Sequence, residues 1–324
     1  MVGRSDAVET RDGVDLSHLD SPLFDGANVS KRELVDYLDA VSACLLPELA
    51  DRPLSVIRVR PGQPPFMQKN LPAYAPDWIP RVTIWSAASR RDVSYPLCHD
   101  RRTLLWLANQ RAVEFHPALL RGRDATVTHL VLDLDPPEGA AFGAVVRAAA
   151  AVRVALADAG LGGAVKTSGA KGLHVVVPVV ESTTVDAAAA ATRALAARTG
   201  RIDPGAVTTA YVKEDREGKV FADSTRSGGA TVVAAYSPRA RPNVPVSFPV
   251  RWEDLDAVSP ADFTVTTAAA LIGDTDPWRT ALPPPQPLPD ALVAEGRAIP
   301  IARVVAMHEG KRRKQANRAT TSDE

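Results

Sequence analysis

The sequence predicts an α/β (α+β) protein, because strand-like apolar runs alternate with amphipathic or alanine-rich segments along the chain. The clearest strand is residues 128–135, a leucine and valine run that stops at Pro136, since proline cannot donate to a strand ladder. The clearest helices are the alanine-rich segments at about 140–159 and 185–199. The 324 residues suffice for one large domain or two smaller ones.

The first third of the chain begins with a polar arm, followed by two predicted helices and a strand. Residues 1–28 form the arm, with at most short elements. Apolar residues recur with helical spacing over 31–50, where Ser30 is the expected N-cap, and again over 101–114. Between these helices, residues 54–60 alternate as a strand.

The remaining elements follow the strand that ends at Pro136. We expect a helix, a strand–turn–strand unit, a second helix and two strands around a glycine turn. Their predicted positions are about 140–159, 164–179, 185–199, 218–223 and 230–236. The proline-rich stretch 283–287 marks an edge of the main domain. An amphipathic segment at 290–308 then leads to a basic tail, Lys311–Lys314, which we expect to be disordered.

Charge is balanced overall but unevenly distributed. The chain has 38 basic and 38 acidic residues, so its formal net charge is zero. Residues 1–50 carry four basic and ten acidic residues, whereas residues 51–125 carry twelve basic and six acidic ones. A locally positive surface favours phosphate binding, with an ordinary solvated surface as the alternative.

The sequence also predicts a cytoplasmic protein that does not contact a membrane. No apolar run approaches the roughly 18 residues that a membrane helix needs, and the polar N-terminus lacks the apolar region of a signal peptide. Cys44 and Cys98 have neither metal-type spacing nor the pattern of a disulfide framework.

Two acidic residues, Asp133 and Asp135, close the strand at 128–135. Alternate side chains of a strand share one face, so the two carboxylates point the same way and repel each other unless a cation lies between them. Oxygen ligands suit a hard ion such as Mg²⁺ or Mn²⁺. The pair therefore predicts a metal site, and the alternative is an exposed strand end with two solvated acids.

A glycine-containing turn at 166–174, Lys-Thr-Ser-Gly-Ala-Lys-Gly-Leu-His, is the second candidate. Glycine lets a backbone turn tightly and approach a ligand, and Ser168, Lys171 and His174 can donate to phosphate oxygens. The glycine spacing differs from that of a Walker loop. A hairpin with incidental polar residues is the alternative, and His174 can equally be a satisfied core group.

A third acidic position, Asp223, ends an apolar run and precedes Arg226 by three residues. Asp223 is a candidate third oxygen ligand, and Arg226 is a candidate triphosphate contact. Downstream, Arg239 and Arg241 lie on one side of an extended segment. A solvated surface explains each arginine equally well. Together, three acids at strand ends, a donor-rich turn and several arginines predict a two-metal phosphoryl-transfer site.

The joint pattern resembles the archaeo-eukaryotic primase superfamily, and more narrowly the polymerase domain of bacterial ATP-dependent DNA ligase D. The motifs occur in family order over roughly residues 30–275. The matching segments are 66–72, 114–116, 129–136, 168–174, 220–226, 236–241 and 245–252. The resemblance implies a primase-type catalytic core with a mixed, largely antiparallel sheet and flanking helices, plus an N-terminal α/β lobe.

The resemblance also implies a division of the chain. The polar arm (1–28) precedes a primase-polymerase domain (29–290), whose N-terminal lobe is about 29–125 and whose catalytic core is about 126–290. A C-terminal helix and basic tail follow at 291–324. Because the sequence contains no Lys-x-Asp-Gly ligase motif, we expect a free-standing polymerase.

The resemblance implies roles for individual residues. Asp133, Asp135 and Asp223 would bind two divalent ions, with Mn²⁺ favoured over Mg²⁺. The residues that would hold the incoming nucleoside triphosphate are His116, Ser168, Lys171, His174, Arg226 and Arg239. Those that would contact the template or primer strand are Arg58, Arg60, Phe66, Lys69 and Arg241. Phe66 would stack on a template base, and a buried core position is the alternative for it.

The activity implied by the resemblance is template-dependent nucleotidyl transfer, in which a primer 3′-hydroxyl attacks the α-phosphorus of a bound NTP or dNTP. The resemblance further implies a preference for ribonucleotides and short-gap filling on template–primer or gapped DNA. It also implies a role in repair or end joining, in the bacterial cytoplasm and at the nucleoid when DNA is bound. Two alternatives stay open: a primase that starts chains without a primer, and a catalytically silent nucleic-acid-binding protein.

Overall fold

The computed structural model describes residues 9–86, 89–122, 125–228 and 230–301. The strands are β1 (Glu9–Arg11), β2 (Val14–Leu16), β3 (Leu54–Arg60), β4 (Gln63–Gln68), β5 (Arg81–Ser86), β6 (Arg91–Pro96), β7 (Ala112–Pro117), β8 (Leu120–Arg121), β9 (Thr126–Val127), β10 (His129–Asp135), β11 (Ala164–Thr167), β12 (Leu173–Pro178), β13 (Val207–Thr208), β14 (Val220–Asp223) and β15 (Pro249–Val250). The helices are α1 (Lys31–Ala40), α2 (Ser42–Leu49), α3 (Arg101–Asn109), α4 (Phe142–Asp158), α5 (Val185–Ile202), α6 (Pro277–Ala281) and α7 (Asp290–Ala298).

An N-terminal lobe is built on the antiparallel sheet β4–β3–β7, and α2 and α3 both contact β7. Ser30 caps α1 as predicted, since its hydroxyl accepts from the Glu33 amide while the Glu33 carboxylate accepts from the Ser30 amide. The prediction of a single helix over 31–50 is wrong, because the backbone leaves helical geometry at Val41. Two helices, α1 and α2, form instead. The predicted strand at 54–60 forms as β3.

The helix predicted over 101–114 is also shorter than its spacing indicated. The helix α3 ends at Asn109, the chain turns at Arg111 (φ +59°), and β7 then pairs antiparallel with β3. This pairing satisfies the backbone of β7 and overrides the local helical period. As a result, Glu114 and His116 lie two residues apart on one face of a strand.

The largest sheet of the described residues is mixed and largely antiparallel, as predicted. Within the described residues it has six strands in the order β13-β14-β10-β12-β11-β15. Each pair of neighbours is antiparallel except β13 and β14. The helices α4 and α5 contact β10, and α7 packs on α5. Leu130, Leu132 and Leu134 of β10 are fully buried, so the apolar face of the central strand belongs to the core.

The strand predicted at 230–236 does not form among the described residues of this segment. Thr231 makes one isolated bridge to Ala118. The Ala234 amide donates to the carbonyl of Phe115, and Tyr236 adopts φ +65°, a conformation that interrupts an extended strand. The segment is therefore an irregular connection held by contacts to both lobes.

The described part of the predicted N-terminal arm differs from a simple polar extension. Residues 9–28 contain the β1–β2 hairpin and bury Val14, Leu16, Leu23 and Phe24 in the core. At the other end α7 stops at Ala298, and residues 302–324, including the predicted basic tail, lie outside the described residues. Among the helices described, none has the length and apolar character needed to cross a bilayer.

Candidate active site

A row of polar residues crosses the central sheet at the position of the predicted acids. Asp133 on β10 lies directly opposite Asp223 on β14 and, on its other side, opposite His174 on β12. His174 in turn lies opposite Lys166 on β11. Directly opposite residues project to the same face of a sheet, so this register brings together groups that are far apart in sequence. Asp135 lies two residues beyond Asp133, at the exposed end of β10.

Arg226 lies beside both central acids. Its Nη2 is 3.4 Å from Asp133 Oδ2, and its Nε is 3.4 Å from Asp223 Oδ2. The other oxygen of Asp223 accepts from the Thr225 amide at 2.7 Å. Burial opposes ionisation of Asp133, but the contact with His174 and the charge of Arg226 together lower its pKa. The Asp133 carboxylate is therefore ionised at neutral pH and lies beside a guanidinium.

Asp135 reveals repulsion among the three acids. Partial burial raises the pKa of Asp135 to about 6, and the negative charges of Asp133 and Asp223 add to the effect. A divalent cation would relieve this repulsion, and oxygen atoms are the ligands that Mg²⁺ and Mn²⁺ prefer. The donor set thus fits a metal in its chemistry. In the described ranges, however, no three His, Cys, Asp or Glu side chains already stand in a metal-binding arrangement.

The predicted nucleotide-binding turn is held by its own serine. Ser168 Oγ accepts from the amides of Ala170 and Gly172 at 3.2 and 3.1 Å. A Cβ at Gly172 would overlap the carbonyl oxygen of Leu134, so only glycine fits where the turn crosses the end of β10. Lys171 is exposed at the turn, where its ammonium is free to approach a ligand from solvent.

His174 is buried between an acid and a lysine. Its Nε2 is 3.3 Å from Asp133 Oδ1, and its Nδ1 is 2.9 Å from Lys166 Nζ. Burial lowers the pKa of His174 to about 4, with a contribution from the charge of Lys166. Burial and the charge of Arg239 lower the pKa of Lys166 to about 7. Lys166 stands first in the turn motif, but no pattern in the sequence assigns it a role.

Glu114 is a second residue that sequence reasoning left without a role. Its Oε2 lies 2.8 Å from His116 Nε2 and 3.0 Å from Arg239 Nε, and its Oε1 accepts from the Ala240 amide at 2.9 Å. Arg239 Nη1 also donates to the carbonyl of Ser168 at 2.6 Å. Burial opposes ionisation of Glu114, but the hydrogen bond from His116 and the charge of Arg239 lower its pKa to about 2.

This carboxylate therefore joins two predicted nucleotide contacts, His116 and Arg239, to the glycine turn. The available signal was the Glu-Phe-His alternation at 114–116, which places both polar side chains on one face only if the segment is a strand. Because a helix was predicted up to residue 114, this alternation was not interpreted as a strand.

The predicted nucleic-acid contacts divide into exposed and buried groups. Phe66 is half-buried, with the guanidinium carbons of Arg58 and Arg60 at 5.8 and 5.3 Å from its ring centre, so it is not a core residue. Arg60, Lys69 and Arg241 are exposed.

The structure does not support the predicted contact of Arg58 with nucleic acid, because Arg58 is buried and its guanidinium donates to protein acceptors. Those acceptors are the Gln110 carbonyl, the Gln68 side chain and the Tyr74 hydroxyl. These contacts give Arg58 a structural role and do not support the predicted contact with template phosphates.

A cleft of about 1040 Å³ is lined mainly by residues of the N-terminal lobe, with Ala230 and Thr231 completing its wall, and none of the three acids lines it. Its wall includes the basic residues Lys69 and Arg81, together with Tyr95 and Thr231. Trp85, on the neighbouring hairpin β5–β6, has 63% of its surface exposed. Cationic and aromatic groups along one cleft are the combination that binds single-stranded nucleic acid.

Comparison with known proteins gives consistent matches over most of the chain. A family model described as "LigD, primase-polymerase domain" matches residues 30–278. The chain is 35% identical over 255 residues to the multifunctional non-homologous end joining DNA repair protein LigD of Mycobacterium tuberculosis, covering 75% of this chain and 33% of that protein. It is 32% identical over 254 residues to the bifunctional non-homologous end joining protein LigD of Bacillus subtilis, covering 77% and 41%.

The chain thus spans about a third to two fifths of the length of these curated relatives. A solved structure, the polymerase domain from Mycobacterium tuberculosis ligase D in complex with DNA, superposes with a TM-score of 0.75 at 32% identity. The match covers 83% of this chain and 97% of that domain. These similarities confirm the predicted fold class and the predicted enzyme class. The chain belongs to the LigD primase-polymerase domain family, whose members are metal-dependent nucleotidyltransferases.

Proposed function

We propose that this protein extends primers on a DNA template by adding nucleotides, with a preference for ribonucleotides, to fill short gaps during end joining. The observation that carries the proposal is the register that sets Asp223 opposite Asp133, with Asp135 beside them. Three carboxylates on one face of two adjacent strands are what two-metal phosphoryl transfer requires. The names of the relatives, which are non-homologous end joining proteins, support the pathway.

Asp133, Asp135 and Asp223 would hold two divalent ions in this proposal, Mn²⁺ in preference to Mg²⁺. When bound, such ions activate the attacking hydroxyl and neutralise charge on the transferred phosphoryl group. The raised pKa of Asp135 supports this assignment, because burial and the charges of the other two acids disfavour its ionised form, and a bound cation would stabilise that form.

The triphosphate would lie between the glycine turn and the arginines. Lys171 approaches it from the exposed turn, His174 donates from Nε2, and Arg226 exchanges the two carboxylates for phosphate oxygens. Arg226 suits this exchange because its side chain is 40% exposed and both of its carboxylate contacts are 3.4 Å long. Ser168, His116 and Arg239 would complete the pocket, with Glu114 holding the last two in place.

The template strand would follow the exposed face of the N-terminal lobe, named here the basic face and made of Arg60, Phe66, Lys69, Arg81 and Trp85. Phe66 and Trp85 offer ring surfaces for stacking, and the three cations offer phosphate contacts. Arg241 would contact the primer strand. The solved polymerase domain in complex with DNA supports a nucleic-acid partner.

Primer extension on a gapped duplex tests the proposal, with rNTPs compared with dNTPs and Mn²⁺ with Mg²⁺. Asp133→Asn and Asp135→Asn should each lower extension at least about 100-fold, because the loss of a metal ligand removes several kcal/mol of transition-state stabilisation. Asp158→Asn, at an exposed position on α4, is the matched control.

Wild-type extension that survives either site substitution would contradict the assignment. Synthesis on a template without a primer would instead indicate a primase. Salt-sensitive DNA binding with no incorporation in either metal would indicate a silent binding protein.

A further inference from the structure

Lys166 is a fully buried lysine in the middle of the catalytic sheet, and neither the motif analysis nor the proposed chemistry uses it. It has 3% of its surface exposed. Its ammonium lies 2.6 Å from Ser247 Oγ, 2.9 Å from the Val233 carbonyl oxygen and 2.9 Å from His174 Nδ1. A buried lysine is costly unless its hydrogens are satisfied, so these three partners determine its state.

The directions of these hydrogen bonds follow from the donors and acceptors available. Ser247 Oγ donates its single hydrogen to the Thr167 carbonyl at 2.6 Å, so it accepts from Lys166. The Val233 carbonyl can only accept. Burial and the charge of Arg239 lower the pKa of Lys166 to about 7, so its amine is protonated below that pH. In the protonated form two hydrogens are thereby used, and the third is directed at Nδ1 of His174.

The opposite edge of the imidazole sets the same constraint. Nε2 of His174 is 3.3 Å from Asp133 Oδ1, and an ionised carboxylate only accepts hydrogen bonds. A neutral imidazole has one ring hydrogen. With Nδ1 accepting from Lys166, that hydrogen resides on Nε2.

We propose that Lys166 is a positioning residue, which fixes His174 as the tautomer with hydrogen on Nε2 and aims this donor at the face that carries the three acids. The tautomer is inferred from the hydrogen-bond partners. The catalytic consequence rests on the proposed function: the Nε2 hydrogen is then ready to donate to a phosphate oxygen. The other tautomer would turn a lone pair toward Asp133 and toward an incoming phosphate, and both would repel it.

Nuclear magnetic resonance tests the tautomer without any assay of activity. Long-range ¹H–¹⁵N correlation spectra of protein labelled at its six histidines distinguish the two neutral tautomers and the imidazolium. The signal of His174 is assigned as the one missing from His174→Ala. At pH 6, where Lys166 is protonated and His174 is neutral, wild type should show hydrogen on Nε2. In Lys166→Met, which keeps the chain length and removes the donor, a substantial share of the other tautomer should appear.

Thr199→Val is the matched control, since it removes a buried hydroxyl that donates to the Leu195 carbonyl within α5. It should leave the His174 spectrum unchanged. A wild-type ring with hydrogen on Nδ1 would overturn the proposal, and so would a folded Lys166→Met protein with an unchanged His174 spectrum. If Lys166→Met fails to fold, the wild-type spectrum alone still decides the tautomer.

Kinetics then separate positioning from general damage. Lys166→Met should lower kcat/KM for the nucleotide by about 10- to 100-fold, which is typical when a residue that orients a site ligand is lost. In a His174→Ala background the same substitution should cost less than about threefold, because the residue through which Lys166 acts is absent. Equal losses in both backgrounds would overturn the proposal. Inactivity of the wild type would refute the proposed function and leave the tautomer result standing.

Discussion

Replacing Glu114 with glutamine should lower the free energy of unfolding by about 3 kcal/mol at pH 7. A carboxyl whose pKa falls from 4.5 in the unfolded chain to about 2 on folding contributes about this much at neutral pH. A second argument agrees, since a hydrogen bond to a charged group contributes about 1–1.5 kcal/mol more than one to a neutral group, and two such bonds lose that difference. Glu114 accepts hydrogen bonds from His116 and the Ala240 amide and forms an ion pair with Arg239, and glutamine keeps its shape but loses its charge.

The pH dependence of this loss separates charge from packing. Because folding lowers the pKa of Glu114, its contribution is complete above the unfolded value of 4.5 and is lost as pH falls toward about 2. The difference in unfolding free energy between wild type and Glu114→Gln should therefore be largest near neutral pH and shrink below pH 4.5. Urea unfolding followed by circular dichroism at a series of pH values measures this difference directly.

Glu181→Gln is the matched control, because Glu181 is exposed and surface substitutions usually change stability by less than about 0.5 kcal/mol. A loss for Glu114→Gln that stays constant between neutral and acid pH would show that packing, not charge, is responsible. A loss below about 1 kcal/mol at pH 7 would refute the argument that the charge of Glu114 stabilises the folded protein by about 3 kcal/mol.

Two further predictions concern the turn and the basic face. Gly172→Ala should lower the melting temperature, because its Cβ would overlap the Leu134 carbonyl and overpacking costs about 1–3 kcal/mol. Gly143→Ala is the control, because its Cβ meets nothing within 4 Å. A Gly172→Ala protein that melts at the same temperature as Gly143→Ala would contradict the prediction. Arg60→Ala and Lys69→Ala should each weaken binding to gapped DNA and reduce the salt-dependence slope by about 1 in fluorescence anisotropy. An unchanged slope would show that the substituted residue does not contact a phosphate.

Local signals predicted the elements that depend mainly on their own residues. The Ser30 cap forms because its partner, Glu33, is three residues away. The strand before Pro136 forms because its apolar residues are buried and proline ends it. In both cases the interactions that determine the element involve residues within one short segment, so the sequence alone is enough to predict it.

Predictions failed where the decisive partner is distant in sequence. The segment containing Glu114 has a helical period, yet its backbone pairs with β3. The segment at 230–236 resembles a strand, yet its amides donate to Phe115 and Ser247. Only the folded chain reveals such competition between local preference and tertiary pairing.

The same reason explains what was missed in the site. The acids and the turn were found because their motifs are contiguous. Glu114, by contrast, bonds to Ala240, 126 residues away, and Lys166 bonds to Ser247, 81 residues away. Residues whose role is to orient others show no local pattern, because their chemistry depends on partners brought by the fold.

The position of Asp223 depends on the register of β14 against β10, and that register is set by the core. Ala222, the preceding residue, lies opposite Leu134 on the other face of the sheet, and both are buried. A slip of one residue would exchange the faces of β14 and move the Asp223 carboxylate into an apolar layer without a partner, which is strongly unfavourable. The packing of Ala222 and Leu134 therefore excludes the alternative register, so the third acid meets the first two whether or not a metal is bound.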